Sequence, residues 1–175
     1  MPAALVETAR PLLLARFRQD PAGFRQGLAA LYGLLWYGSC LAALVICLLS
    51  RPLLLLLYGQ AYCPAWGILC VAAWRPAFSC LGIARSIFLA AHRQFRYEKY
   101  LAAAGAAVNL VLNLLLIPLW GPLGAALATL LAQAVANVGM NFLIPPLREN
   151  SRLLLQGMRP HILRFLLAAR KRRQI

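Results

Sequence analysis

Acidic residues are nearly missing from this chain of 175 residues: Glu7, Asp20, Glu98 and Glu149 are the only four, against 18 lysines and arginines. None of the four falls inside a long apolar run. General acid–base chemistry and metal-assisted hydrolysis both draw on carboxylates held at the reacting centre. The chain also has no HExxH, GxSxG or P-loop pattern. It therefore reads as a non-enzyme, with no catalytic residue, metal or cofactor. The five cysteines (Cys40, Cys47, Cys63, Cys70, Cys80) form no CxxC, and most sit in apolar runs, where they act as small apolar side chains. The first long apolar run opens only near Leu28 and is too long for the core of a signal peptide.

What is abundant is apolar surface. Hydrophobic residues make up 62% of the chain and the mean hydropathy is +0.71, beside a formal charge of +14. A soluble protein this basic would suggest nucleic acid. Here the cations lie between the apolar runs rather than on them, which is the pattern of a bilayer protein touching anionic lipid and excludes a nucleic-acid binder. The expected class is all-α and polytopic, with about four transmembrane helices. The spans are Leu28–Ser50, Trp66–Ala91, Tyr100–Trp120 and Pro122–Ile144. Arg51 and Pro52 are expected to end the first, leaving Leu53–Tyr58 as a short interfacial or re-entrant turn. Pro145 and Pro146 stop the last. Residues 1–27 are expected to be an amphipathic cytoplasmic-surface segment, broken into short pieces by prolines and Gly23. Residues 28–146 form the transmembrane region and residues 147–175 a basic cytoplasmic tail. Fifteen of the 18 basic residues fall on one side of this arrangement and Arg51 alone on the other, with Arg75 and Arg85 inside the second span. The positive-inside bias then puts both termini in the cytoplasm, with anionic lipids as partners.

Polar groups within the spans need a reason, because an ionisable side chain at a helix centre costs about 2.5–3.5 kcal/mol on insertion scales. Arg75 precedes Pro76 and shares a helical face with Ser79, Gly82 and Ser86, while Arg85 lies nearer the cytoplasmic end. One reading is the wall of a hydrated, anion-attracting cavity. The other has Arg85 snorkelling to the headgroups and Arg75 pairing with freed carbonyls. The third span carries Asn109 and Asn113, and the fourth carries Gln133, Asn137 and Asn141, each set one turn apart. Gly124, Ala128, Ala132 and Ala136 recur every four residues, a spacing that lets two helices approach closely. The amides are expected to join helices, and Asn109, Asn113, Gln133 and Asn137 double as substrate-cavity candidates with Arg75, Arg85 and Ser79.

The stretch AVNLVLNLLLIPLWGPLGAALATLLAQ carries Asn109, Asn113, Ile117, Pro118, Gly121, Gly124, Ala125, Ala126, Ala128 and Thr129. It resembles the signature helix pair of bacterial polysaccharide and lipid-linked oligosaccharide flippases, in the multidrug/oligosaccharidyl-lipid/polysaccharide exporter superfamily. Upstream, LLLLLYGQAYCPAWGIL resembles that family's connection through Tyr58, Gly59 and Tyr62, and FLAAHRQFRYEK resembles the loop that follows its penultimate helix pair. The likeness covers roughly residues 5–148. It implies the last four helices of a twelve-helix transporter in the bacterial inner membrane, moving a polyprenyl-pyrophosphate-linked glycan by alternating access. It further implies that the missing N-terminal helices are partners, and that the chain is a truncated or split gene product. A non-transporting scaffold subunit and a drug/cation antiporter of the same superfamily are the alternatives.

Overall fold

The computed structural model describes residues 2–159. The rest of the expected basic tail lies outside the described residues. Eight α-helices follow in order among the described residues: α1 Pro2–Gln19, α2 Pro21–Tyr58, α3 Trp66–Ala73, α4 Arg75–Ala91, α5 Glu98–Trp120, α6 Pro122–Ala134, α7 Met140–Leu143 and α8 Arg148–Met158. Four stretches are long and apolar enough to cross a membrane: Pro21–Tyr58, Gln60–Ala91, Phe95–Trp120 and Pro122–Leu143. The chain is an all-α polytopic membrane protein.

The N-terminal half corrects two expectations. Residues 2–27 are not broken into short pieces. Helix α1 runs through Pro11, and the chain turns once, at Asp20, whose carboxylate accepts the Gly23 N–H at 2.9 Å and caps α2, with Pro21 opening the helix. Nor do Arg51 and Pro52 end the first span. Helix α2 continues for 38 residues to Tyr58, so Leu53–Tyr58 is its last part rather than a separate turn. At 1.5 Å per residue it is about 57 Å long, well beyond a hydrocarbon core of about 30 Å. A proline removes one N–H and frees the carbonyl four residues back, here that of Leu48, a loss a membrane helix can absorb. Beside Pro52, Ser50 Oγ donates to the Cys47 carbonyl at 2.8 Å and Cys47 Sγ reaches the Cys70 carbonyl of α3 at 3.5 Å. The Arg51 guanidinium lies 4.8 Å from the centre of the Trp66 ring. Gly59, at φ +79°, finally stops the helix by returning its N–H to Leu55 O.

The second span breaks at Trp74, where Pro76 lacks a donor, and resumes as α4. Helix α4 is the hub. Ala77, Cys80, Leu81, Ala84, Ile87 and Phe88 are all buried, in contact with α1, α2 and α6. Helices α5 and α6 form a hairpin turned at Gly121, whose φ of +55° suits only glycine without strain. Helix α5 buries Leu101 and leaves Leu110, Val111, Leu114, Leu115 and Leu119 exposed, an apolar outer face for lipid or further helices.

After Ile144, Pro145 and Pro146 turn the chain into α8, which folds back on α2. Tyr32 donates to Asn150 at 2.7 Å, Tyr37 to the Met158 carbonyl at 2.7 Å, and Arg25 pairs with Glu149 at 2.7 Å. Phe17 of α1, Phe24 of α2 and Phe88 of α4 surround the His92 ring, with centroids 4.9, 6.4 and 4.1 Å away. These contacts gather the basic segments at one end of the bundle.

Candidate functional site

Between α4, α5 and α6 lies a polar cavity of about 450 Å³, walled by Arg85, Glu98, Asn109, Thr129, Gln133 and Asn137, with Gly105, Ala132 and Ala136 among its small residues. Glu98 starts α5 and Asn109 lies eleven residues on, so the cavity extends about 16 Å inward from the basic end.

Arg85 is its one arginine and is only 3% exposed. Its Nη1 donates to the Ala136 carbonyl at 3.1 Å, and its Nη2 faces Glu98 Oε1 at 3.5 Å. Nε is buried and has no hydrogen-bond partner among the described residues. Ala136 belongs to a π-helical turn, Val135–Gly139, that widens the last span between α6 and α7. Such turns loosen the regular carbonyl pairing and recur at functional sites. The side chain of Asn137 in that turn lies where a Cβ on Gly82 would be, so any larger residue at 82 would push the Asn137 amide aside.

The amides make a ladder along the walls. Asn113 Nδ2 donates to Asn109 Oδ1 at 2.9 Å, and Asn109 Nδ2 reaches Thr129 Oγ1 at 3.4 Å. Asn137 Nδ2 donates to Gln133 Oε1 at 2.7 Å, and Asn141 Nδ2 to the Asn137 carbonyl at 2.6 Å. Of these, the Asn109–Thr129 bond alone joins two helices; the others stay within one. Asn113 Oδ1 and Asn141 Oδ1 are buried without a partner among the described residues. Helix approach comes from the small residues instead. A Cβ on Gly124 would strike the Leu116 carbonyl of α5, and one on Gly105 would come within 2.9 Å of the Ala136 methyl. Ala128 and Ala132, 0% and 4% exposed, complete that row.

The structure thus brings Arg85, Asn109, Gln133 and Asn137 together in one cavity, with Asn113 bonded to Asn109. Arg75 and Ser79 are not among its lining residues. Arg75 is exposed at the first position of α4, and Ser79 Oγ turns back to the Pro76 carbonyl at 3.4 Å. The Arg75–Ser86 stripe is split: Gly82 abuts Asn137, while Ser86 accepts a bond from Arg10 of α1 at 2.7 Å. Arg85 does not snorkel; it is enclosed and held by protein groups.

Sequence reasoning missed Glu98, of which it noted only that it lies outside the long apolar runs, and the Ala136 carbonyl. The available signal for Glu98 was its position as the acid directly preceding an apolar run. Chemically, the site offers one fixed cation, one half-exposed carboxylate and several amide and hydroxyl groups. That set suits an anionic group attached to a hydroxyl-rich molecule. Among the described residues, no group of three or more His, Cys, Asp or Glu comes together to hold a metal. No known protein family, curated protein or solved structure matches the chain.

Proposed function

We propose that this chain serves membrane transport as the C-terminal part of a flippase for a polyprenyl-pyrophosphate-linked oligosaccharide, in the inner membrane of a bacterium, with its basic end cytoplasmic. The observation that carries this reading is Arg85, a desolvated guanidinium at a cavity that opens between membrane-crossing helices. A guanidinium held out of water is expensive, and its retention favours a role on a substrate path. Asn109, Thr129, Gln133 and Asn137 supply hydrogen-bonding capacity for glycan hydroxyls beside it. The exposed apolar face of α5 accommodates the further helices that would close the cavity into a central pathway. The resemblance of the α5–α6 hairpin to the flippase signature points the same way.

Deleting the gene in its own bacterium tests this. The expected result is accumulation of a lipid-linked glycan on the cytoplasmic leaflet and loss of the matching surface polysaccharide. Unchanged lipid-linked intermediates and unchanged surface polysaccharide would overturn the reading and favour a scaffold.

A further inference from the structure

Arg85 and Glu98 form an ion pair whose two halves are unequally held. Arg85 is 3% exposed and its Nη1 is anchored to a backbone carbonyl, Ala136 O, at 3.1 Å. Glu98 is 48% exposed and meets Nη2 at 3.5 Å, longer than the roughly 2.7–2.9 Å of a strong charge-assisted bond. The carboxylate is therefore the partner that can leave. Reaching water from a half-exposed position costs little, whereas a buried guanidinium left alone is strongly disfavoured. Glu98 also sits in the first turn of α5, where the helix dipole stabilises a negative charge whether or not Arg85 holds it.

From this geometry we propose that Glu98 is a displaceable counter-ion. It neutralises Arg85 between ligands and yields its place to an incoming phosphate or pyrophosphate group. The inference rests on the reading of this cavity as a site for an anionic headgroup. Exchange of one anion for another keeps the buried cation paired throughout, so the ligand does not have to meet a bare charge. A pyrophosphate wins because it brings more charge and more oxygens than a carboxylate. Its oxygens would accept from Arg85 Nη2 and from the amide N–H groups of Gln133 and Asn137, while Thr129 Oγ1, whose proton goes to the Ala125 carbonyl, would face the attached sugar as an acceptor.

The test is titration calorimetry on the detergent-purified full chain, with sodium pyrophosphate in one arm and farnesyl pyrophosphate in the other. Glu98→Gln removes the competing charge and keeps an oxygen facing Arg85. It should bind tighter than the parent by about tenfold or more. Glu98→Asp, which withdraws the carboxylate by one methylene, should fall between the two and serves if the Gln variant does not fold. Adding Arg85→Lys to either variant should weaken binding again, since the fixed fork is lost. Tightening in both arms assigns recognition to the phosphates alone; tightening only with farnesyl pyrophosphate assigns it to a lipid-borne headgroup. Equal or weaker binding in both Glu98 variants would overturn the counter-ion role and leave the anion site standing. No binding of either probe by any form would overturn both, whereas failure of the transport reading would show in the gene-deletion phenotype.

Discussion

Tyr32 of α2 and Asn150 of α8 are 118 residues apart in sequence, yet the tyrosine hydroxyl donates to the amide oxygen at 2.7 Å with both side chains buried. This bond, with Tyr37 on the Met158 carbonyl, holds the helix after the last span against the first one. Among the described residues the Asn150 Nδ2 has no partner, so its amide has little to fall back on. Tyr32→Phe should lower stability by about 1–3 kcal/mol, because it leaves a buried acceptor unsatisfied. Thermal unfolding in detergent measures this, and an unchanged midpoint would show that the bond does not hold α8.

Close approach of α5 and α6 gives a second prediction. A methyl on Gly124 meets the Leu116 carbonyl, which is backbone and cannot step aside, whereas a methyl on Gly38 meets nothing within 4 Å. Gly124→Ala should cost about 1–3 kcal/mol through overpacking. Gly38→Ala should be neutral or slightly stabilising, as expected for an open helical position. Equal midpoints for the two variants would contradict the packing.

The small-residue row predicts two different outcomes from one substitution. Ala128 is 0% exposed and does not line the cavity, so Ala128→Leu should reduce the yield of folded protein. Ala132 is a cavity-wall residue, so Ala132→Leu should also shrink that space and weaken pyrophosphate binding in whatever folded protein is recovered. Retained binding by folded Ala132→Leu protein would place the ligand elsewhere.

Much of the fold was legible because bilayer spans advertise themselves. Runs of about twenty apolar residues bounded by charge, glycine or proline mark the membrane-crossing helices. Pro52 misled because a proline costs a helix one backbone bond without having to end it, and α2 is held by packing on α3, which no local pattern shows. Helix α8 was hidden in a tail read by its charge, since its partner residues on α2 lie over a hundred positions upstream. The site was half legible. Intramembrane Arg85 and the amides stand out by type, but their relative placement depends on a π-helical turn and on Gly82 and Gly105, which no local pattern announces.

Orientation has its own test. The basic end should be cytoplasmic under the positive-inside bias. A cysteine introduced at Gln94, in a background without the native cysteines, should resist a membrane-impermeant thiol reagent applied to intact cells. One placed at Gln60 should react. The reverse pattern would invert the topology.

The most direct test of the account compares the two intramembrane arginines in cells. Arg85 is enclosed at the cavity and Arg75 is exposed at the start of α4. Lipid-linked glycan translocation is measured in the gene-deletion strain carrying each variant, at matched membrane abundance. Arg85→Gln, which keeps hydrogen-bond donors but loses the charge, should reduce translocation at least about tenfold, a loss of about 1.4 kcal/mol of stabilisation or more. Arg85→Lys should retain part of it, and Arg75→Ala nearly all. Full translocation by Arg85→Gln, or its loss in Arg75→Ala alone, would contradict the assignment of the anion site to Arg85.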